Sequence, residues 1–156
     1  MKILFTHSYF YKLDAKQWRF KQPYPPLGTI LAASVMREQG YDVTLFDTNL
    51  KDDPGEIVPV LKQHRPKYMV LYDDGFNYLT KMCLTNMREA AFVMSTAGKQ
   101  SGCTVIVSSS DAADQYDKYF DHGVDYVVKG EGEETLKELI DTIEAGKDPS
   151  AVPGIV

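Results

Sequence analysis

Val127-Val128-Lys129-Gly130-Glu131-Gly132-Glu133-Glu134-Thr135 is the stretch whose reading decides the fold. An apolar run from Val124 to Val128 reads as a strand and stops at Gly130. An acidic amphipathic helix starts within three residues, with Leu136, Leu139, Ile140 and Ile143 at helical spacing. The glycines bracket Glu131 where a strand end meets a helix start. In open α/β sheets that edge is where ligands bind. Glycine there supplies positive φ or close backbone approach, and Glu133 and Glu134 suit the helix dipole. Carboxylates would repel a bare phosphate, and no Walker-type Lys-Ser/Thr pair follows. An uncharged or amide-bearing group is the better partner for this turn.

The same alternation extends back along the chain. Strands are expected at Lys2–Thr6, Tyr41–Phe46, Tyr68–Tyr72, Thr104–Val107 and Val124–Val128. Helices are expected at about Pro26–Gln39, after Pro54, at Leu79–Gln100, at Ala112–Asp121 and after Gly132. In the first of these, Leu27, Ile30, Leu31, Ser34 and Val35 mark the expected apolar face. Strands that are apolar throughout, such as Tyr68-Met69-Val70-Leu71-Tyr72, fit a sheet covered on both faces. Right-handed crossovers then predict a doubly wound five-stranded parallel α/β sheet of order 2-1-3-4-5. With 156 residues, one domain spanning 1–146 is expected. Residues 147–156, with Pro149, Pro153 and Gly154, read as a linker toward a further C-terminal domain.

Bulk properties narrow the partners. A formal net charge of −5 and the lack of a Lys/Arg run argue against nucleic acid. No stretch approaches the ~20 apolar residues of a membrane span. Cys83 and Cys103 lack metal spacing and suit thiols in or near the core in a reducing cytoplasm. Two cysteines cannot hold an iron–sulfur cluster by themselves.

In this topology the loops after strands one, three, four and five share one edge. The first, His7 to Tyr24, carries Tyr9, Phe10, Tyr11, Trp18, Phe20 and Tyr24. It reads either as an aromatic cap packed on the domain or as a wall over a planar ligand. His7 reads as a hydrogen-bonding residue or, less readily, a metal ligand. Asp73-Asp74-Gly75 fits a solvated turn, a phosphoacceptor, a cation site or a hydrogen bond to a ligand amide. Ser108-Ser109-Ser110-Asp111 fits a helix N-cap, a small-residue floor for a ligand, or both.

Together, Pro25-Pro26-Leu27-Gly28, Gly40-Tyr41-Asp42-Val43, Asp125 through Thr135 and Val152-Pro153-Gly154-Ile155-Val156 resemble the N-terminal cobalamin (vitamin B12)-binding domain of cobalamin-dependent radical SAM enzymes. The resemblance runs over essentially the whole chain, in order. It implies a Rossmann-like, flavodoxin-type fold with a corrinoid on the carboxyl edge and its nucleotide tail between strand ends and helices. It implies a cofactor site made by His7, Ser8, Pro26, Leu27, Gly28, Asp74, Gly75, Phe76, Ser108, Ser109, Ser110, Gly130, Glu131, Gly132 and Glu133. The partner it implies is a radical SAM domain, in cis or in trans, often a methyltransferase, which would carry the SAM and 4Fe-4S sites. No catalytic or metal-ligating residue is expected in this chain, because the CxxxCxxC run is absent.

Two departures shape the expectation. The D-x-H-x-x-G signature of an axial histidine is missing, since Phe5 stands two before His7; this favours a histidine-free mode. Ser108-Ser109-Ser110-Asp111 stands where relatives show Gly-Gly-x-His, so the corrin tail would meet a bulkier, acidic turn. The alternatives are a phosphorylated receiver domain using Asp73, Ser108 or Ser109, and Lys129, or a partner-docking module without cobalamin. A receiver would need an acidic pair after strand one, where Thr6-His7 stand. An FMN-binding flavodoxin would need a hydroxyl-rich phosphate loop where Pro25-Pro26-Leu27-Gly28 stand.

Overall fold

A computed structural model describes residues 1–20, 22–73 and 83–156. In chain order the principal elements are β1 (Lys2–Thr6), α1 (Ala15–Trp18), α2 (Leu27–Glu38), β2 (Asp42–Phe46), α3 (Ile57–His64) and β3 (Tyr68–Tyr72). They continue with α4 (Leu84–Gln100), β4 (Thr104–Ser108), α5 (Ser110–Asp114), α6 (Tyr116–Phe120), β5 (Tyr126–Val128) and α7 (Gly132–Glu144). The five strands pair in parallel in the order β2-β1-β3-β4-β5. This is the expected doubly wound α/β sheet.

Strand alternation divides the core into two layers. Leu4, Met69, Leu71, Val105, Val107 and Val127 face one side, against Ile57 and Leu61 of α3, Ala90 and Met94 of α4 and Tyr119 of α6. Ile3, Phe5, Tyr68, Val70, Ile106 and Val128 face the other, against Ala32, Ala33 and Met36 of α2 and Leu136, Leu139 and Ile140 of α7. β3 is buried at every residue, as the middle strand of a covered sheet must be. The sheet order reverses direction between β1 and β3, so the loops leaving these strands diverge and open a crevice there.

Helix α2 turns a different face inward from the one its large residues suggest. Gly28, Thr29, Ala32, Ala33 and Met36 are buried, while Leu27 and Leu31 are 53% and 46% exposed. Small side chains let the helix axis approach the sheet, and the leucines one turn apart are left outside. The expected polar helix at Ala112–Asp121 is two short helices, α5 and α6, meeting at Gln115.

The segment 147–156, read from sequence as a linker, lies on the domain. Asp148 caps a 3-10 turn over Pro149–Ala151, and Val152 is buried against the α7 layer. Ile155 then pairs antiparallel with Val128, with Lys129 N–H donating to Gly154 (2.8 Å) and Val156 N–H to Val127 (2.9 Å). The residues cover the free edge of β5, which would otherwise offer unpaired backbone groups. Val152→Ala is expected to cost about 1–2 kcal/mol of stability, as for a small core truncation. Denaturant melts of the variant check this, and an unchanged midpoint would mean that the segment is not docked in solution.

Candidate functional site

β3 and β4 end side by side, with Tyr72 opposite Ser108 in register. Beyond them opens a cavity of about 430 Å³. Gly28 from the start of α2 bounds it, with Tyr72 and Asp73 from β3, Ser108, Ser109, Ser110 and Ala113 from the β4–α5 turn, and Val128, Gly130, Glu131 and Glu133 from the β5–α7 turn. The volume lies toward the small end of the ~300–1,000 Å³ typical of ligand pockets. It has room for a heterocycle with an attached sugar and not for a corrin macrocycle.

Seven of the sequence-derived site residues therefore share one cavity: Gly28, Ser108, Ser109, Ser110, Gly130, Glu131 and Glu133. Asp74, Gly75 and Phe76 lie outside the described residues. His7, Ser8, Pro26, Leu27 and Gly132 are not in its lining, for different reasons. His7 is buried and faces β2: its Nε2 is 2.9 Å from Asp47 Oδ1, and its Nδ1 is 3.1 Å from Thr48 Oγ1. Burial pushes the Asp47 carboxyl up, but hydrogen bonds from His7 and from Asn49 N–H outweigh it and hold the group below the usual carboxylate range. His7 thus braces the ends of β1 and β2. Leu27 points outward on the rim, one residue before Gly28.

Gly130 and Gly132 act by two separate means. Gly130 has φ +78°, a conformation that L side chains avoid, with open space where a Cβ would be. Gly132 has no such angle, but a Cβ on it would lie 3.0 Å from Ser108 Oγ and from the Tyr72 ring and hydroxyl. The α7 start is pressed onto the ends of β3 and β4. Burial, and then the neighbouring Glu133 carboxylate, keep the Tyr72 phenol protonated far above its ordinary range.

The serine turn is locked from behind. Ser109 Oγ accepts from Ala112 N–H at 3.0 Å, as an N-cap. Asp111 turns away from the cavity onto Arg88 of α4, which donates Nε–H at 2.7 Å and a second N–H at 2.5 Å; Tyr119 adds its hydroxyl at 2.9 Å. Burial alone would raise the Asp111 carboxyl, but these partners hold it below the usual range. The acidic residue that sequence set against a ligand is absent from the lining because Arg88 takes it.

Two polar residues of the lining, Tyr72 and Asp73, stand outside the cofactor set that the resemblance implies, although Asp73 reads from sequence as a phosphoacceptor, a cation site or a hydrogen-bond partner of a ligand amide. Asp73 follows the last residue of β3, and Ser8 holds it from β1: Ser8 N–H donates to Oδ1 at 2.7 Å, and Ser8 Oγ lies 2.9 Å from both carboxyl oxygens. No Lys or Arg pairs with it among the described residues. Burial therefore dominates and raises the Asp73 carboxyl above its ordinary range, against the lowering effect of Ser8. The signal for Tyr72 and Asp73 was present in the sequence, as the last two residues before a glycine turn at a central strand end. Lys129, the receiver-type lysine, stands over the Tyr116 ring at 4.8 Å and outside the lining. Of the aromatic first loop, Tyr9, Phe10 and Tyr11 are buried, while Phe20 and Tyr24 stay exposed. The cap reading holds for the first three.

Two measurements test these assignments. A carboxyl raised in the folded state contributes stability at low pH that is lost as pH rises through the folded value. Asp73→Asn keeps an acceptor for Ser8 and removes that loss. Its melting temperature should match the parent near pH 4 and exceed it by about 2–4 °C near pH 8, a ~1 kcal/mol effect at this size. A gap that narrows with rising pH would refute the raised carboxyl. Arg88→Met leaves Asp111 unpaired and should cost about 2–3 kcal/mol, toward the low side for breaking a buried pair. Because Asp111 is lowered, that deficit should be full at neutral pH and shrink as pH falls through the folded carboxyl value. Denaturant titrations across pH read it directly.

No protein-family model matches the chain. It is 28% identical over 135 residues to a hopanoid C-3 methylase of Methylococcus capsulatus, covering 84% of this chain and 24% of that protein. It is 27% identical over 139 residues to an uncharacterized methyltransferase of Pyrococcus horikoshii, covering 84% of this chain and 27% of that protein. The chain spans about a quarter of the length of these curated relatives. In structure it is similar to the radical S-adenosylmethionine methyltransferase TsrM of Kitasatospora setae, with TM-score 0.72 and 17% identity over 99% of this chain and 28% of that one. TsrM has also been solved with cobalamin and a [4Fe-4S] cluster bound. The chain is likewise similar to the cobalamin-dependent radical enzyme OxsB solved with aqua-cobalamin and S-adenosylmethionine, with TM-score 0.70 and 19% identity over 99% of this chain and 20% of that one. The fold is that of the corresponding part of these enzymes.

Proposed function

We propose that this chain is a cobalamin-binding domain that works with a radical SAM catalytic domain, in cis or in trans, in a methyltransferase-type reaction. The observation that carries the reading is the cavity beyond the ends of β3 and β4, bounded by the start of α2 and by the serine and glycine–glutamate turns at the carboxyl edge of a doubly wound sheet. The similarity of nearly the whole chain to one part of cobalamin-dependent enzymes supports it.

The residues fit the group in a specific way. The cavity is too small for the macrocycle and suits the nucleotide end of a corrinoid, with the ring on the edge outside it. Gly28, Ser108, Ser109, Ser110, Gly130 and Glu131 would hold that end through close backbone approach and hydroxyls. Asp73, Glu131 and Glu133, with no cation among the described lining residues, disfavour a phosphate inside, so a phosphodiester would stay at the mouth. His7 is committed to Asp47 and Thr48, which accords with a mode lacking an axial histidine. When bound, the corrinoid supplies a cobalt centre able to carry a methyl group and hand it on. The chain's own part is to bind and orient it; it holds no cluster of three or more His, Cys, Asp or Glu fit for a metal among the described residues. Leu27 and Leu31, exposed one turn apart beside Gly28, offer apolar surface for the ring or the catalytic domain to cover. No helix among the described residues is long and apolar enough to cross a membrane. Cys83 and Cys103 are free thiols, which supports a reducing cytoplasmic setting.

Titration with hydroxocobalamin should give saturable absorbance changes in the micromolar range. Gly132→Val, which drives a side chain into Tyr72 and Ser108, should weaken binding at least tenfold while the protein still melts cooperatively. Absence of saturable change at high-micromolar ligand would leave the partner-docking alternative.

A further inference from the structure

We propose that residues 154–156 belong to the ligand site as a positioning strap: paired along the outer edge of β5, they fix the Gly130–Glu131 turn in the cavity wall, so that strap docking and corrinoid binding stabilise each other. This rests on the corrinoid reading above and extends it to a segment outside the described cavity lining.

The turn depends on what holds its ends. Gly130 and Glu131 are exposed, and a Cβ on Gly130 would have nothing within 4 Å. One limb is β5, only three residues long, with β4 along one side and Val128 opposite Ser108. Val128 is itself part of the lining. The other limb is the start of α7, where Gly132 sits against Tyr72 and Ser108.

The strap reaches both limbs. Val127 N–H donates to the Val156 carbonyl at 3.0 Å, Val156 N–H to the Val127 carbonyl at 2.9 Å, and Lys129 N–H to the Gly154 carbonyl at 2.8 Å. Ile155, between them, pairs with Val128. Ile155 packs on the α2–α7 layer and Val156 on the α3–α4 layer, the alternation of a strand seated in a sheet. Gly154 has φ +83°, and a Cβ on it would lie 3.5 Å from the Lys129 carbonyl oxygen and from the Thr135 side chain. It therefore lies against the residue that enters the turn and the helix start that leaves it. A strand of three residues has few ladder bonds of its own, so the second set, from the strap, decides how firmly Lys129 presents Gly130 and Glu131 to the cavity. Such coupling is reciprocal: a ligand held better when the strap is docked must hold the strap in return.

The experiment titrates hydroxocobalamin into the 156-residue protein and its variants, and follows amide hydrogen exchange of the parent protein with and without saturating hydroxocobalamin. Gly154→Val, strained at that φ, should weaken binding about fivefold or more, the low end of coupling between sites. In the parent protein, saturating ligand should slow exchange at the Val156 amide by at least the same factor, relative to the Asp42 amide, which bonds Met1 beside β2 at the opposite edge of the sheet. If Gly154→Val does not melt cooperatively, Val156→Pro takes its place, since it removes the donor to Val127 and leaves Gly154 in place. Ile57→Val, a core change on α3 outside the described lining, controls for general destabilisation and should bind within about twofold of the parent. Unchanged affinity in the strap variant, an equal loss in Ile57→Val, or exchange slowed equally at Val156 and Asp42 would overturn the inference while leaving the corrinoid reading intact. Absence of saturable binding to the parent protein would overturn both.

Discussion

Ser8 holds Asp73 across the seam between β1 and β3, and the site is organised around that contact. The sheet reverses its order at this seam, so the chain leaves β1 toward one face and β3 toward the other. Nothing in the parallel ladder bridges the two strand ends beyond Thr6 and Leu71. The Ser8–Asp73 pair continues the connection by one side-chain step, and Thr29 does the same for α2 by donating its hydroxyl to the Tyr72 carbonyl at 2.6 Å. The crevice thus has fixed walls on both sides and open volume in front. A carboxyl placed there without a Lys or Arg partner among the described residues is costly when ionised, which is why burial raises it.

The other acidic groups nearby are handled differently. Asp47 is offset by His7 and Asn49, and Asp111 by the Arg88 fork. Both are bonded into the frame. The frame is extended along α4: Arg88 meets Asp111, Phe92 stacks on His122 and packs edge-on against Tyr119, Thr96 donates to the His122 carbonyl, and Lys99 pairs with Asp125. These residues recur every third or fourth position, so one face of the helix holds the whole β4–β5 connection. The serine turn owes its position to this face.

Much of this was legible in the sequence. Period and punctuation sufficed for the five strands, their order and the edge that carries the cavity, because alternating apolar runs and glycine stops are local signals. The glycine–glutamate turn was readable as a contact point, though which glycine served φ and which served proximity depended on Tyr72, sixty residues away in sequence. The less legible features were all matters of partnership across such distances. Asp111 looked like an obstacle until Arg88 was seen to take it. His7 reads as a hydrogen-bonding residue, and its partners, Asp47 and Thr48, lie 40 and 41 residues on in sequence. Residues 147–156 read as a linker on Pro149, Pro153 and Gly154, and the contacts that Val152 and Ile155 make with the domain are matters of long-range partnership that composition does not show. The inner face of α2 was misjudged for a physical reason: hydrophobic size marks burial only when the neighbouring sheet leaves room for it.

That last point links packing to recognition. A helix that buried Leu27 and Leu31 would stand further from the sheet, and Gly28 could not border the cavity beside Tyr72 and Ser108. By burying Gly28, Ala32 and Ala33 instead, α2 brings Gly28 to the cavity wall and puts its leucines on the rim. The same choice therefore sets both the width of the polar slot and the apolar surface beside it. A ligand matched to this edge must be amphipathic in the same order, with a compact hydrogen-bonding end and a broad, less polar body lying outside.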